Sequence, residues 1–181
     1  MVAIAGAVKR GEIPGSEVVI VVSDKPDAPG LQKAAELGIP TVVVERKGRP
    51  REQHDRETVA ELKGRGVELV CLAGYMRLLS PYFVNEFPNK IINIHPSLLP
   101  AFPGLDAQRQ AFEAGIKQTG CTVHFVDEHL DHGPVILQRM VEVNDGDTAA
   151  TLSARILEQE HLLYIEAIKQ IVTTRTQRAQ S

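Results

Sequence analysis

At 181 residues the chain has room for one compact domain with a sizeable core and little besides. Apolar residues make up 43% and charged residues 24%, an ordinary balance for a soluble globular protein, and a formal net charge of -3 offers no overall positive field to gather nucleic acid. No apolar stretch approaches a membrane span, and Lys9 and Arg10 come too soon for a secretory signal, so a cytoplasmic protein without membrane or nucleic-acid partners is expected.

Val2 to Lys9 reads as a helix with no strand before it. Glu17 to Val22 is a β-branched run whose continuous apolarity suits a strand covered on both faces. Leu31 to Leu37 is a short helix with Gly38 as its cap, and Pro40 to Val44 the next strand. Glu52 to Gly64 is a charged helix with Val59 and Leu62 inward, and Val67 to Ala73 a buried strand closed by Gly74. Ser80 to Phe87 is a helix with Ser80 as N-cap and Pro81 at its first position. Lys90 to His95 is a strand, followed by a helix from Gln108 to Glu113 that Gly115 stops. Thr122 to Val126 and Val135 to Val143 form an antiparallel pair across a polar loop. Thr148 to Val172 is a long closing helix with Leu152, Ile156, Leu163 and Ile168 near helical spacing.

Repeated strand-then-helix units predict an α/β fold: a single doubly wound, mostly parallel sheet with helices on both faces. Residues 1–173 make one domain, and residues 174–181 a frayed polar tail. Cys71 and Cys121 each lie in an apolar run, which predicts two buried thiols and no bridge.

Ligands of open α/β sheets bind beyond strand ends. In Ile91-Ile92-Asn93-Ile94-His95-Pro96 the strand period of two turns Asn93 and His95 to one side and Ile92 and Ile94 to the other. An amide beside an imidazole can hold a developing oxyanion, and the imidazole can also move a proton. The same pair could instead satisfy loop backbone groups. Asp127-Glu128-His129-Leu130-Asp131-His132 adds three carboxylates and two imidazoles between strands, where a carboxylate could hold a water or take a proton. His95, His124, His129, His132 and Asp131 are all possible metal ligands, but no His-Glu-x-x-His pattern or Cys-His cluster is present and no metal is expected. Glycine-rich dinucleotide, P-loop and serine-hydrolase motifs are absent too.

Asn93-Ile94-His95-Pro96-Ser97-Leu98-Leu99-Pro100 resembles the signature of the folate-dependent formyltransferases. Phe102-Pro103-Gly104-Leu105, Arg109-Gln110-Ala111, Thr122-Val123-His124-Phe125-Val126 and Leu130-Asp131-His132-Gly133-Pro134 resemble the branch acting on glycinamide ribonucleotide. Leu72 to Ser80 is similar to the segment lining that family's folate pocket, and the resemblance runs from the first helix to about Tyr164.

The resemblance implies transfer of a formyl group from 10-formyltetrahydrofolate, as cosubstrate, to the amino group of glycinamide ribonucleotide in purine synthesis. It assigns catalysis to Asn93 and His95, which would bind the formyl oxygen, and to Asp131, which would hold a proton-shuttling water. It assigns folate binding to Met76, Arg77, Leu78 and Leu79 and to Asp127, Glu128, His129, Leu130 and Asp131. Ribonucleotide contacts fall to Arg51, Asn93 and Glu160. Small molecules are the expected partners, with the chain a monomer or homodimer.

One departure stands out. The family begins with an apolar strand and a Gly-rich turn that holds the substrate phosphate, and this sequence starts after that turn. One reading is a fold that simply opens on a helix; the resemblance instead predicts a missing central strand, unpaired backbone on both its neighbours, and a natural start upstream of Met1. Three alternatives follow. A methionyl-tRNA formyltransferase would carry a further tRNA domain and a basic stripe. A formyltetrahydrofolate hydrolase would carry another histidine where Pro96 stands. A folate-binding module would lack transfer altogether.

Overall fold

The computed structural model describes residues 1–180. Its elements in chain order are α1 (Val2–Lys9), β1 (Val21–Ser23), α2 (Pro29–Glu36), β2 (Thr41–Val43), α3 (Arg51–Gly64) and β3 (Val70–Leu72), then α4 (Pro81–Glu86), β4 (Ile91–His95), α5 (Ala107–Glu113), β5 (Gln118–Phe125), β6 (Val135–Glu142) and α6 (Ala149–Gln180). Each expected element is present. The α/β class with helices on both faces holds.

The described strands fall into two sheets, β1-β2 and β3-β4-β5-β6. β1 runs parallel to β2 with Val21 opposite Thr41, and β3 parallel to β4 with Val70 opposite Ile91. β5 then pairs antiparallel with β4 as well as with β6, so the reversal of direction comes one strand earlier than the expected final pair. Two strands are shorter than their apolar runs. Of Glu17 to Val22 only the end forms a ladder, continued to Ser23, and of Val67 to Ala73 only Val70 to Leu72. A ladder extends as far as a partner backbone does, and among the described residues β1 and β3 are each paired on one side only.

Two apolar clusters cover opposite faces. One gathers Leu152, Ile156, Leu163 and Ile168 of α6 with Ala7 of α1, Ile92 of β4, and Cys121 and Val123 of β5. The other gathers Val59 and Leu62 of α3, Phe83 of α4, Val70 of β3 and Ile91 of β4, with Ile20 and Val22 against them. The helical spacing of the α6 residues and the alternation of Ile91 and Ile92 thus deliver each side chain to its expected layer. The Tyr164 hydroxyl lies 2.8 Å from the Leu72 carbonyl oxygen and 3.0 Å from that of Ile92, which ties α6 to β3 and β4 together.

The stretch expected as a frayed tail is instead helix as far as Gln180, while Ser181 lies outside the described residues. The reason is local anchoring: the Arg175 guanidinium donates to the carbonyls of Glu68 and Asn89 at 3.2 and 3.1 Å, past the point where apolar residues stop. Both cysteines are free, and burial pushes each thiol up to about 12. No described helix is long and apolar enough to cross a membrane.

Candidate active site

β4 carries the site because its alternation does what the sequence predicts. Ile92 and Ile94 enter the α6 cluster, while Asn93 and His95 face away from it. Asn93 lies opposite His124 on β5, and His95 opposite Thr122. The loop after β5 then folds back so that the Asp131 carboxylate reaches this face. Its Oδ2 stands 3.4 Å from His95 Nδ1 and its Oδ1 3.8 Å from His124 Nε2. Asn93 Nδ2 lies 3.3 Å from His124 Nε2, which closes a run of four polar side chains: Asn93, His124, Asp131 and His95.

The hydrogen bonds assign protons. His124 Nδ1 faces the Phe125 carbonyl at 2.8 Å, so Nδ1 carries the hydrogen, and burial lowers the ring's pKa and keeps it neutral. Nε2 is then a lone pair that accepts from Asn93, which fixes the amide orientation and leaves the second Asn93 N–H for a ligand. His95, only 4% exposed, holds the Phe102 carbonyl through Nε2–H at 2.8 Å and turns Nδ1 to Asp131. Asp131 sits at φ 49° and accepts the Gly104 N–H at 2.8 Å. Phe102 and Gly104, in the segment after β4, therefore hold the imidazole and the carboxylate at once. A charged acceptor beside an imidazole nitrogen and an amide N–H suits proton transfer coupled to oxyanion stabilisation.

The sequence reading missed the part His124 plays in orienting Asn93. Its signal was the same two-residue period on β5, where Thr122 and His124 share a face.

The segment after β3 is held from beneath. Asp55 of α3 is fully buried; its Oδ2 accepts the Ser80 N–H at 2.7 Å, and its Oδ1 lies 3.6 Å from Arg77 Nη2. Arg77 also pairs with Asp24 at 3.4 Å, and His54 joins the group with Nδ1 3.2 Å from Asp55 and Nε2 2.8 Å from the Val44 carbonyl. The Arg77 guanidinium is thus committed to the protein interior, and Leu79 is buried in the α3–α4 core. Met76, at 71% exposure, and Leu78 stand in the open instead. On the neighbouring loops Leu105 and Leu130 are also exposed, with Leu130 beside Gly104. Glu128 and His129 are exposed, and Asp127 is occupied by the His132 ring at 2.9 Å.

Of the three residues assigned to the ribonucleotide, Asn93 belongs to the quartet, while Arg51 stands on α3 and Glu160 on α6. Arg51 is exposed at the start of α3. Glu160 is half-buried on α6, on the side of the sheet that carries Cys121, and burial raises its carboxyl to about 7. A carboxyl with a raised folded-state pKa favours the fold in its protonated form, so this contribution is complete below about pH 4.3 and lost as pH climbs through about 7. Replacing Glu160 by Gln is accordingly expected to raise the melting temperature at about pH 8 and to leave it unchanged near pH 4. Thermal melts across that range check this; an equal shift at both ends would contradict it.

Residues 1–168 match the formyl transferase family, and the chain belongs to it. It is 43% identical over 158 residues to the phosphoribosylglycinamide formyltransferase of Bacillus subtilis (strain 168), covering 87% of this chain and 81% of that protein. With the enzyme of the same name from Escherichia coli (strain K12) it shares 45% identity over 163 residues, 90% of this chain and 76% of the other. It is also 47% identical over 158 residues to the trifunctional purine biosynthetic protein adenosine-3 of Drosophila melanogaster, where the match covers 87% of this chain but only 12% of that protein's length. Among solved structures, glycinamide ribonucleotide transformylase 1 from Symbiobacterium toebii superposes with a TM-score of 0.93 at 49% identity, covering 96% of this chain and 82% of that one.

Proposed function

We propose that this chain is an enzyme transferring the formyl group of 10-formyltetrahydrofolate to the amino group of glycinamide ribonucleotide, a step of purine biosynthesis, and that it works on these small molecules in the cytoplasm as a monomer or homodimer. The observation that carries the reading is the quartet Asn93, His124, Asp131 and His95 in a member of the formyl transferase family. Relatives named phosphoribosylglycinamide formyltransferase at 43% and 45% identity support the choice of acceptor.

In this reading the free Asn93 N–H and an Nδ1–H on a His95 ring protonated at both nitrogens, with its Nε2–H still on the Phe102 carbonyl, bind the formyl oxygen as it gains charge in the tetrahedral stage. Asp131 takes the proton that the attacking amine loses, directly or through a water, and passes it to the folate nitrogen as the bond from that nitrogen to the formyl carbon breaks and tetrahydrofolate leaves; His124 stays neutral and keeps the amide oriented. The exposed Met76, Leu78, Leu105 and Leu130 fit a flat pterin, which needs an apolar slot with backbone groups at its rim. Positioning and electrostatics supply the rate, with no covalent enzyme intermediate. Arg51 is assigned to the substrate phosphate and Glu160 to ribose hydroxyls on the family resemblance.

The test is turnover of 10-formyltetrahydrofolate with and without glycinamide ribonucleotide. Deformylation that depends on the ribonucleotide and yields formylated product is the expected result. Formate released regardless of the amine would make the chain a hydrolase. Binding of a folate analogue with no turnover would make it a folate-binding module.

A further inference from the structure

The β5–β6 loop brings together a second set of groups that formyl transfer leaves unused as chemistry. Asp127, His129 and His132 each offer a donor atom, and the three atoms lie within 4.8 Å of one another. His132 Nδ1 is 2.9 Å from Asp127 Oδ2, and His129 Nδ1 is 3.8 Å from Asp127 Oδ1. Ligands bound at about 2.0–2.1 Å around a tetrahedral zinc ion lie roughly 3.3 Å apart, so the observed spacings fall on either side of what an ion needs.

Backbone geometry holds the ligands near this arrangement without an ion. The Asp127 carboxylate accepts the His129 N–H at 2.8 Å, which fixes the turn that brings His129 round. His132 precedes Gly133, where any Cβ would collide with the Phe125 carbonyl oxygen, and the Phe125 N–H donates to Pro134 at 2.9 Å. The loop is therefore pinned at the base from which Asp127 and His132 project. The two imidazole rings are tilted by 59° with centroids 5.3 Å apart, so they are not stacked and their nitrogens can converge. Both rings are largely exposed, which lets an ion keep water in its remaining positions.

We infer that Asp127, His129 and His132 form a surface site for a divalent transition ion, zinc foremost. Two imidazoles and one carboxylate suit zinc, nickel or copper, whereas magnesium and calcium prefer oxygen ligands throughout. The sequence reading expected no metal because it looked for His-Glu-x-x-His; the ligands instead follow an Asp-x-His-x-x-His spacing that only the fold of the loop makes convergent. Without the ion, a hydrogen on His132 Nδ1 bridges to Asp127, so an ion bound at that nitrogen displaces it. An ion here links residues 127 and 132 across Asp131 and stiffens the segment that presents this carboxylate. The site does not depend on the formyl-transfer reading, since the probe is the metal alone.

The experiment is calorimetric titration of the full chain with zinc chloride at about pH 7.5 in a non-chelating buffer. Saturable binding of one ion is expected. His129→Ala and His132→Ala should each weaken it by at least about tenfold, while His161→Ala, at an exposed position on α6, should not. Unchanged thermal melts of the variants without zinc show that the fold is intact. Absence of binding to the parent chain overturns the inference. So does unaltered stoichiometry and affinity in the His129→Ala/His132→Ala double variant, which would place the ion elsewhere on the chain.

Discussion

Replacing Asp131 by asparagine is expected to lower kcat/KM for formyl transfer by about 100- to 10,000-fold, the range for loss of a positioned acid–base group, and to leave the melting temperature nearly unchanged. The asparagine oxygen can still accept the Gly104 N–H, now made by Asp131 Oδ2 at 2.8 Å, so the loop keeps its anchor. What disappears is the negative charge 3.4 Å from His95 Nδ1 and 3.8 Å from His124 Nε2. Without it the amine proton has no acceptor, and the imidazole loses the partner that would stabilise its protonated form. Steady-state kinetics with both substrates, alongside a thermal melt, separate the two effects. Less than a tenfold loss of turnover would remove Asp131 from the chemistry; a large drop in melting temperature would show that its role is structural.

Asp55→Ala has the largest expected effect on stability, about 3–5 kcal/mol, as for one partner lost from a buried ion pair. Asp55 is fully buried, its carboxylate faces Arg77 and His54, and it accepts the Ser80 N–H at the start of α4. The alanine leaves that N–H without a partner and takes from the mostly buried Arg77 one of its two carboxylates, the other being Asp24 at 3.4 Å. Against a total stability of about 5–15 kcal/mol, such a loss is a large share. Asp55→Asn retains an acceptor for Ser80 and should fall between the alanine variant and the parent. Urea unfolding measures all three, and a change under about 0.5 kcal/mol for the alanine, the level of an ordinary surface substitution, would contradict the assignment. The same variants should raise KM for the folate cosubstrate more than they lower kcat. The reason is that Arg77 and Ser80 fasten the loop bearing Met76 and Leu78, which carries none of the quartet's four side chains.

The buried Asp55 shows where reading the sequence could have gone further. Asp55, Val59 and Leu62 are spaced by four and three residues, so the carboxylate shares the inward face of α3 with two core residues. A charge on that face has to find a partner, yet the sequence names none: Arg77 is 22 positions away and Asp24 is 31. The expected tail failed for a similar reason. Its polar composition is real, but Arg175 finds carbonyls at Glu68 and Asn89 that no local pattern announces.

The sequence by itself determined whatever depends on local period and steric rule. The face shared by Asn93 and His95, the inward residues of α6, and the capping of α4 by Ser80, whose hydroxyl accepts the Phe83 N–H at 3.3 Å, are all of this kind. The family resemblance added the roles proposed for Asn93 and His95. Only the tertiary structure decided which distant groups meet. It folds the β5–β6 loop back until Asp131 reaches His95 and gathers Asp127, His129 and His132 around one point. It also joins His54, Asp55, Arg77 and Asp24 under the loop after β3. The physical reason is range. Helical and strand periods are set by bonds a few residues long, whereas the partner of a buried charge or a loop ligand is set by chain closure and packing over the whole domain.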